Sequence, residues 1–153
     1  MKALVLVGMI ALVAGQGSAL SCMQPDLVMA FQNATQSDAT YYVLYGTLDF
    51  DAGKQPKGVL NEERNPDPIP AIFRGNGLSK TGFNLRFDQA VTLKPDCAGP
   101  WCGSTVPHTA ALIFARVQGS EIIVDVGPCG GQVFLEPSRS DLNAMTQCMS
   151  GGC

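Results

Sequence analysis

The chain has 153 residues, 46% of them hydrophobic and 15% charged, and its formal net charge is −3 at pH 7. This length predicts one domain that is large enough to bury a core of its own. The mildly acidic balance argues against a nucleic-acid partner and against a polybasic attachment to anionic membranes.

The first residues have the composition of a secretory signal peptide. Residues 1–14, MKALVLVGMIALVA, contain one basic residue, no acid and an apolar run that is shorter than the about 20 residues of a membrane span. Ala19 and Ser21 supply the small residues of a cleavage site. We therefore predict a signal peptide over residues 1–21, one domain over residues 22–153, and a secreted or periplasmic location without a transmembrane span.

The domain begins with a predicted helix and a predicted strand. A short apolar stripe within residues 26–34, which includes Met29, predicts the helix and its buried face, and Asp26 is suited to the start of the helix. Aromatic and β-branched residues predict a strand over residues 41–50, in which Gly46 marks a bulge or a coiling point.

The middle of the chain predicts a loop followed by strands. Four of the ten prolines fall within residues 51–70, which predicts a long exposed loop. A short strand over residues 71–73 and a turn at residues 75–77 come next. Residues 83–93 alternate apolar and polar side chains, as a half-buried strand does. Its predicted buried face begins with Phe83, Leu85 and Phe87.

The last third predicts a hairpin, one further strand and a closing helix. Residues 110–117 and 121–126 are strands joined by a Gln-Gly-Ser turn, and residues 132–135 form another strand. Residues 138–141 resemble a capping box in which Asp replaces the usual Glu or Gln. The order of a helix, five or six short strands and a helix favours an antiparallel barrel, because closure removes exposed strand edges.

Cysteine usage predicts disulfides rather than a metal site. All six cysteines lie beyond the signal peptide: Cys22, Cys97, Cys102, Cys129, Cys148 and Cys153. An even number in an exported chain predicts up to three disulfides, and fifteen pairings remain open. A zinc site is disfavoured because the chain has one histidine, His108, and no Cys-x-x-Cys pair. Thr105 stands where a thioredoxin-type motif after Trp101 has its second cysteine, so a structural disulfide loop is the better interpretation there.

Short motifs in a shared order resemble one known family. Residues 30–34, AFQNA, lead into the first strand, and residues 101–103, Trp-Cys-Gly, resemble a Cys-Gly loop. The hairpin over residues 111–126, the cysteine at 129 and the closing segment 135–153 follow in the same order. Together they resemble the N-terminal domain of the tissue inhibitors of metalloproteinases, a netrin-like module, over most of residues 22–153.

This resemblance implies a fold and one disulfide. The fold is an OB-type five-stranded antiparallel barrel with a short N-terminal helix and a closing C-terminal helix. The implied disulfide joins Cys22 to Cys102 and ties the N-terminus to the Cys-Gly loop. The family begins Cys-x-Cys, whereas this chain has Gln24, and Gln32 replaces a cysteine of the helix. Because Cys97 is additional, the pairing of the other cysteines stays open.

The resemblance also implies an inhibitory role for the N-terminus. In the family, the free α-amino group and the carbonyl of the first cysteine bind the catalytic zinc of a protease, and the next side chain enters its specificity pocket. Here these residues are Cys22 and Met23. A neutral amine and a carbonyl oxygen are able to fill an open zinc position, and a flexible methionine suits an apolar pocket. Two alternatives stay open: Cys22 is only a half-cystine in a chain that starts at Leu20, or Cys22 is acylated.

These observations predict an exported, disulfide-bonded protein-binding module that inhibits a metallopeptidase through Cys22 and Met23. The alternative is an envelope-associated structural or interaction protein without inhibitory activity. No nucleophile motif accompanies His108 in the sequence. We therefore expect a protein partner, no catalytic residues, no cofactor and no intrinsic metal.

Overall fold

The computed structural model describes residues 21–59 and 66–153, so the predicted signal peptide, apart from Ser21, lies outside the described residues. Within these ranges the chain forms two α-helices, eight strands and one 3-10 turn. In chain order they are α1 (Leu27–Gln36), β1 (Tyr41–Phe50), the 3-10 turn (Ala52–Lys54), β2 (Ile69–Ser79), β3 (Gly82–Pro95), β4 (Cys97–Ala98), β5 (Trp101–Cys102), β6 (Ala110–Gln118), β7 (Glu121–Val126), β8 (Val133–Leu135) and α2 (Arg139–Met149). The predicted mainly β class with two helices is confirmed.

Five strands hydrogen-bond in a closed circuit. Their order is β1-β2-β3-β7-β6, and β6 also pairs with β1, so the pairing returns to the first strand. β1 serves two partners because its residues 41–47 align with β6 and its residues 44–50 align with β2. Every pair in the circuit is antiparallel except β3–β7, which is parallel, so the predicted all-antiparallel pairing is wrong for these two strands. β8 pairs with β6, and β4 and β5 form a separate small hairpin.

Alternate strand residues bury two hydrophobic clusters on opposite faces of the sheet. The first cluster consists of strand residues alone, among them Leu44, Phe73, Leu93 and Val124. The second cluster lies between the sheet and both helices, and includes Phe31, Phe114 and Met145. Each fully buried side chain of this size contributes about 1.5–3 kcal/mol of hydrophobic free energy. The two helices therefore pack on the same face of the sheet. The N-terminus of α1 lies near the surface of the protein.

β1 and β2 approach each other closely at a pair of glycines. Gly46 lies opposite Gly75, and a Cβ on either residue would overlap the backbone of the facing strand. Of the two roles predicted for Gly46, a bulge or a coiling point, the bulge is wrong, because the register of the β1–β2 pair has no shift there; the missing side chain permits the close approach. The predicted turn at residues 75–77 is also wrong, since these residues lie inside β2 and the chain turns at Lys80 and Thr81.

The β2–β3 pairing contains a register shift that makes Asn84 an additional residue on β3. As a result, Phe83 packs in the cluster under the helices, whereas Phe87 packs in the cluster of strand residues. The predicted strand is confirmed, but its predicted common face is wrong. Between the two phenylalanines, Leu85 is 56% exposed.

Both helices begin where the sequence predicts a cap. The Asp26 carboxylate accepts a hydrogen bond from the backbone N–H of Met29 at 2.8 Å. At α2, the Ser138 hydroxyl accepts from the Asp141 N–H, and the Asp141 carboxylate accepts from the Ser138 N–H, which completes the predicted capping box. These bonds satisfy backbone donors that a helix leaves unpaired at its first turn.

Candidate binding site at the N-terminus

All six cysteines form disulfides, in the pairs Cys22–Cys129, Cys97–Cys102 and Cys148–Cys153. The expected number of three is confirmed, whereas the implied Cys22–Cys102 bridge is wrong. Cys102 is taken by the additional cysteine, because Cys97 lies directly opposite it on the β4–β5 hairpin. The N-terminus is tied instead to the segment that follows β7.

The N-terminal segment, residues 22–25, is fixed at both of its ends. The disulfide to Cys129 holds Cys22, and the cap of α1 holds Asp26, whose backbone carbonyl also accepts from the Ala30 N–H at 2.9 Å. Between these two anchors, the Met23 side chain is 82% exposed. The structure therefore places Met23 outward, beside the disulfide that fixes its neighbour.

A groove of about 290 Å³ runs between the N-terminal segment, the first turns of α1 and the residues that follow Cys129. Met29 lines this groove and is 52% exposed, although the sequence stripe had placed it on the buried face of the helix. Gly130 and Gly131 have positive φ angles, of 72° and 103°, which favour glycine at these positions. A Cβ at Gly130 would also lie 3.2 Å from the Pro25 ring, so the glycine lets the N-terminal segment pack against this loop.

A second groove, of about 440 Å³, adjoins the first and shares Gly130 and Gln132 with it. It carries Lys94, Asp96 and Asp125. Asp125 is engaged, because both of its oxygens accept from the Arg116 guanidinium at 3.1 Å. This hydrogen-bonded pair raises the pKa of Arg116 above its ordinary value. Sequence reasoning missed both grooves, and the Gly-Gly pair after Cys129 was the only local signal for them.

The other residues considered from the sequence lie apart from this segment. Trp101 is exposed on the β4–β5 hairpin, and His108 is an exposed residue whose Nε2 lies 3.6 Å from Asp49. In residues 21–59 and 66–153, no group of three or more His, Cys, Asp or Glu side chains is placed to hold a metal ion. Neither helix of the described ranges has the length and apolar character needed to cross a membrane.

Comparison of the chain with family models, with curated proteins and with solved structures gave no match.

Proposed function

We propose that this chain is an exported protein-binding module whose contact element is the N-terminal segment together with Met29. The proposal rests on the exposure of Met23: its apolar side chain is 82% exposed, although the segment that carries it is fixed at both ends. Chain termini are usually poorly ordered unless they are tied down. A terminus that is tied down while it presents methionine to solvent loses little conformational entropy when a partner covers it.

Export is part of the proposal. It is supported by the predicted signal peptide and by the three disulfides, which form and persist in oxidising compartments. The location we propose is secreted or periplasmic.

The proposal assigns the fold to an OB-type five-stranded barrel of the netrin-like kind. Its support is the closed circuit of five strands with one parallel pair, together with the helix before β1 and the helix after β8. The order of the motifs that resemble the metalloproteinase inhibitors agrees with this assignment. A fold of this kind serves many functions, so the partner has to be argued from the site itself.

The partner we propose is a zinc peptidase. If signal peptidase cleaves after Ser21, the α-amino group and the carbonyl of Cys22 become adjacent ligands for a zinc ion held by the partner, and Met23 is the side chain that follows. The bridge to Cys129 ties this residue to the segment after β7. Because only the neutral amine binds zinc, inhibition should strengthen as the pH rises and the amine loses its proton.

The test begins with the mature N-terminal residue, determined by mass spectrometry of the exported protein. The mature form is then assayed against a panel of zinc endopeptidases beside a form with one alanine added before Cys22, which displaces the amine. Inhibition by the first form alone is the expected result. Met23→Gly should weaken it by about 1–3 kcal/mol through lost burial, whereas Leu135→Ala, at another exposed apolar position, should leave it unchanged.

Equal inhibition by the two forms, or none by either, would refute the peptidase assignment. In the second case, an envelope protein that co-purifies with the wild type and is lost with Met23→Gly would support the alternative, an envelope-associated interaction protein. Acylation of Cys22, seen as added mass on the N-terminal peptide, would exclude the amine mechanism.

A further inference from the structure

β3 has a long edge without a strand partner. One side of β3 pairs with β2 from Gly82 to Leu93, but the other side pairs with β7 only through residues 92–95. Phe83 at its beginning packs under the helices. Within residues 21–59 and 66–153, the edge over residues 85–90 therefore lacks any strand to pair with. Unpaired strand edges are templates for pairing with another chain.

The backbone groups that face this open edge follow from the alternation of the strand. Just beyond β3, the Asp96 N–H donates to the carbonyl of Val126, so Asp96 faces β7. The N–H and C=O of one residue point to the same side of a strand, and successive residues alternate sides. Arg86, Asp88 and Ala90 therefore present their backbone groups to the open edge.

The charges along the edge favour one register when two β3 strands pair antiparallel. Residues that face the edge must pair with residues that also face it. Placing the symmetry axis at Arg86 sets two arginines against each other, and placing it at Asp88 sets two aspartates against each other. With the axis at Phe87, Arg86 lies opposite Asp88 of the second copy, and Asp88 lies opposite its Arg86. Opposite charges across a strand pair are favourable and like charges are unfavourable.

The same register covers exposed apolar surface. Leu85, which is 56% exposed, would lie opposite Gln89 of the second copy, so the pairing would cover part of its apolar side chain. A groove of about 380 Å³ lies near the far end of the edge, where it is lined by residues 90–92 of β3, residues 120–122 of the β6–β7 hairpin, residues 70–72 of β2 and Asp49 of β1.

We propose that two copies of this chain form a symmetric dimer in which their β3 edges pair antiparallel about Phe87. Arg74 on β2 lies opposite Asp88, so the dimer continues a row of alternating charge, Arg74 to Asp88 to Arg86 of the second copy. Within one chain Arg86 pairs with Asp88; because the Arg86 side chain is 87% exposed, it is able to exchange this partner for Asp88 of the second copy. The proposal is independent of the peptidase assignment, because the N-terminal segment takes no part in this pairing.

The experiment is analytical ultracentrifugation of the mature protein over a range of concentrations. The wild type should sediment at twice the chain mass. Arg86→Asp sets aspartates against each other and Asp88→Arg sets arginines against each other, so each change should raise the dissociation constant roughly tenfold or more. An equimolar mixture of the two variants should restore the dimer, because every facing pair is again of opposite charge. Lys57→Asp, the same charge change on an exposed loop, should keep the wild-type constant.

Asp88 also accepts a hydrogen bond from the Gly75 N–H at 3.2 Å, so its variant needs a folding check by circular dichroism. Ala90→Pro provides a second route, because it removes an N–H that faces the open edge and leaves the β2–β3 bonds in place. It should give a folded monomer. A wild type that stays monomeric at every concentration, or a dimer that survives both Arg86→Asp and Ala90→Pro, would overturn the proposal.

Discussion

Removing the Cys22–Cys129 bridge should cost far more stability than removing Cys148–Cys153. The two bridges close loops with sequence separations of 107 and 5 residues. Because the restriction of the unfolded chain by a bridge increases with the logarithm of loop length, the chain-entropy relation gives about 4.8 kcal/mol for the long loop and about 2.1 kcal/mol for the short one at 25 °C. The expected difference between the two variants is therefore about 2.7 kcal/mol.

The assay is urea unfolding of Cys22→Ala/Cys129→Ala and of Cys148→Ala/Cys153→Ala, followed by far-UV circular dichroism. The long-loop variant loses a large share of the about 5–15 kcal/mol that stabilises a typical domain, so its midpoint should fall well below that of the short-loop variant. The backbone amine and carbonyl of residue 22 survive the Cys22→Ala change. In the inhibition assay, this variant therefore separates the loss of rigidity from the loss of the proposed zinc ligands. Equal losses, or a larger loss for the short loop, would show that chain entropy does not govern these bridges.

Three further substitutions, two of them with a matched control, test the core packing, a helix cap and the glycine contact in the same urea assay. Met145→Ala should cost about 2–5 kcal/mol because its side chain is fully buried between α2 and the sheet, whereas Met29→Ala, at an exposed position, should change stability by less than about 0.5 kcal/mol. Ser138→Ala should cost about 1 kcal/mol through the lost capping box; no change would mean that the cap is not formed. Gly75→Ala should cost about 1–3 kcal/mol because its Cβ overlaps the β1 backbone, and Gly77→Ala, whose Cβ meets its nearest neighbours at 3.7 Å, should be tolerated.

Local signals predicted most of the elements. The aromatic and β-branched run over residues 41–50 has the bounds of β1, and the turn after Gln118 connects β6 to β7 as expected. The capping box at Ser138 marks the beginning of α2. In each case the residues that determine the element are neighbours in sequence, so the local pattern is sufficient to predict it.

The features that sequence reasoning missed depend on contacts between distant residues. The local sequence around Gly75 is typical of a turn, and only the pairing with β1 shows why a glycine is needed there. The side chains of β3 change faces because Asn84 has no paired residue on β2. Cys22 likewise pairs with Cys129 because Cys97 forms a disulfide with Cys102. The grooves beside the N-terminus depend on how the loop after β7 packs against α1, which no local pattern records.

If the chain is exported as we propose, the order of its cysteines suits the three pairs that the structure contains. In a chain that crosses the membrane N-terminus first, Cys22 emerges as a lone thiol. Cys97 and Cys102 arrive next, five residues apart, and the short β4–β5 hairpin lets them react with each other first. When Cys129 emerges, Cys22 would be the thiol that is still unpaired. Cys148 and Cys153 would emerge last, close to each other in the chain. On the proposed export route, Cys97 would thus pair with Cys102 before Cys129 emerges, and the three native pairs would form in order of emergence without thiol–disulfide reshuffling.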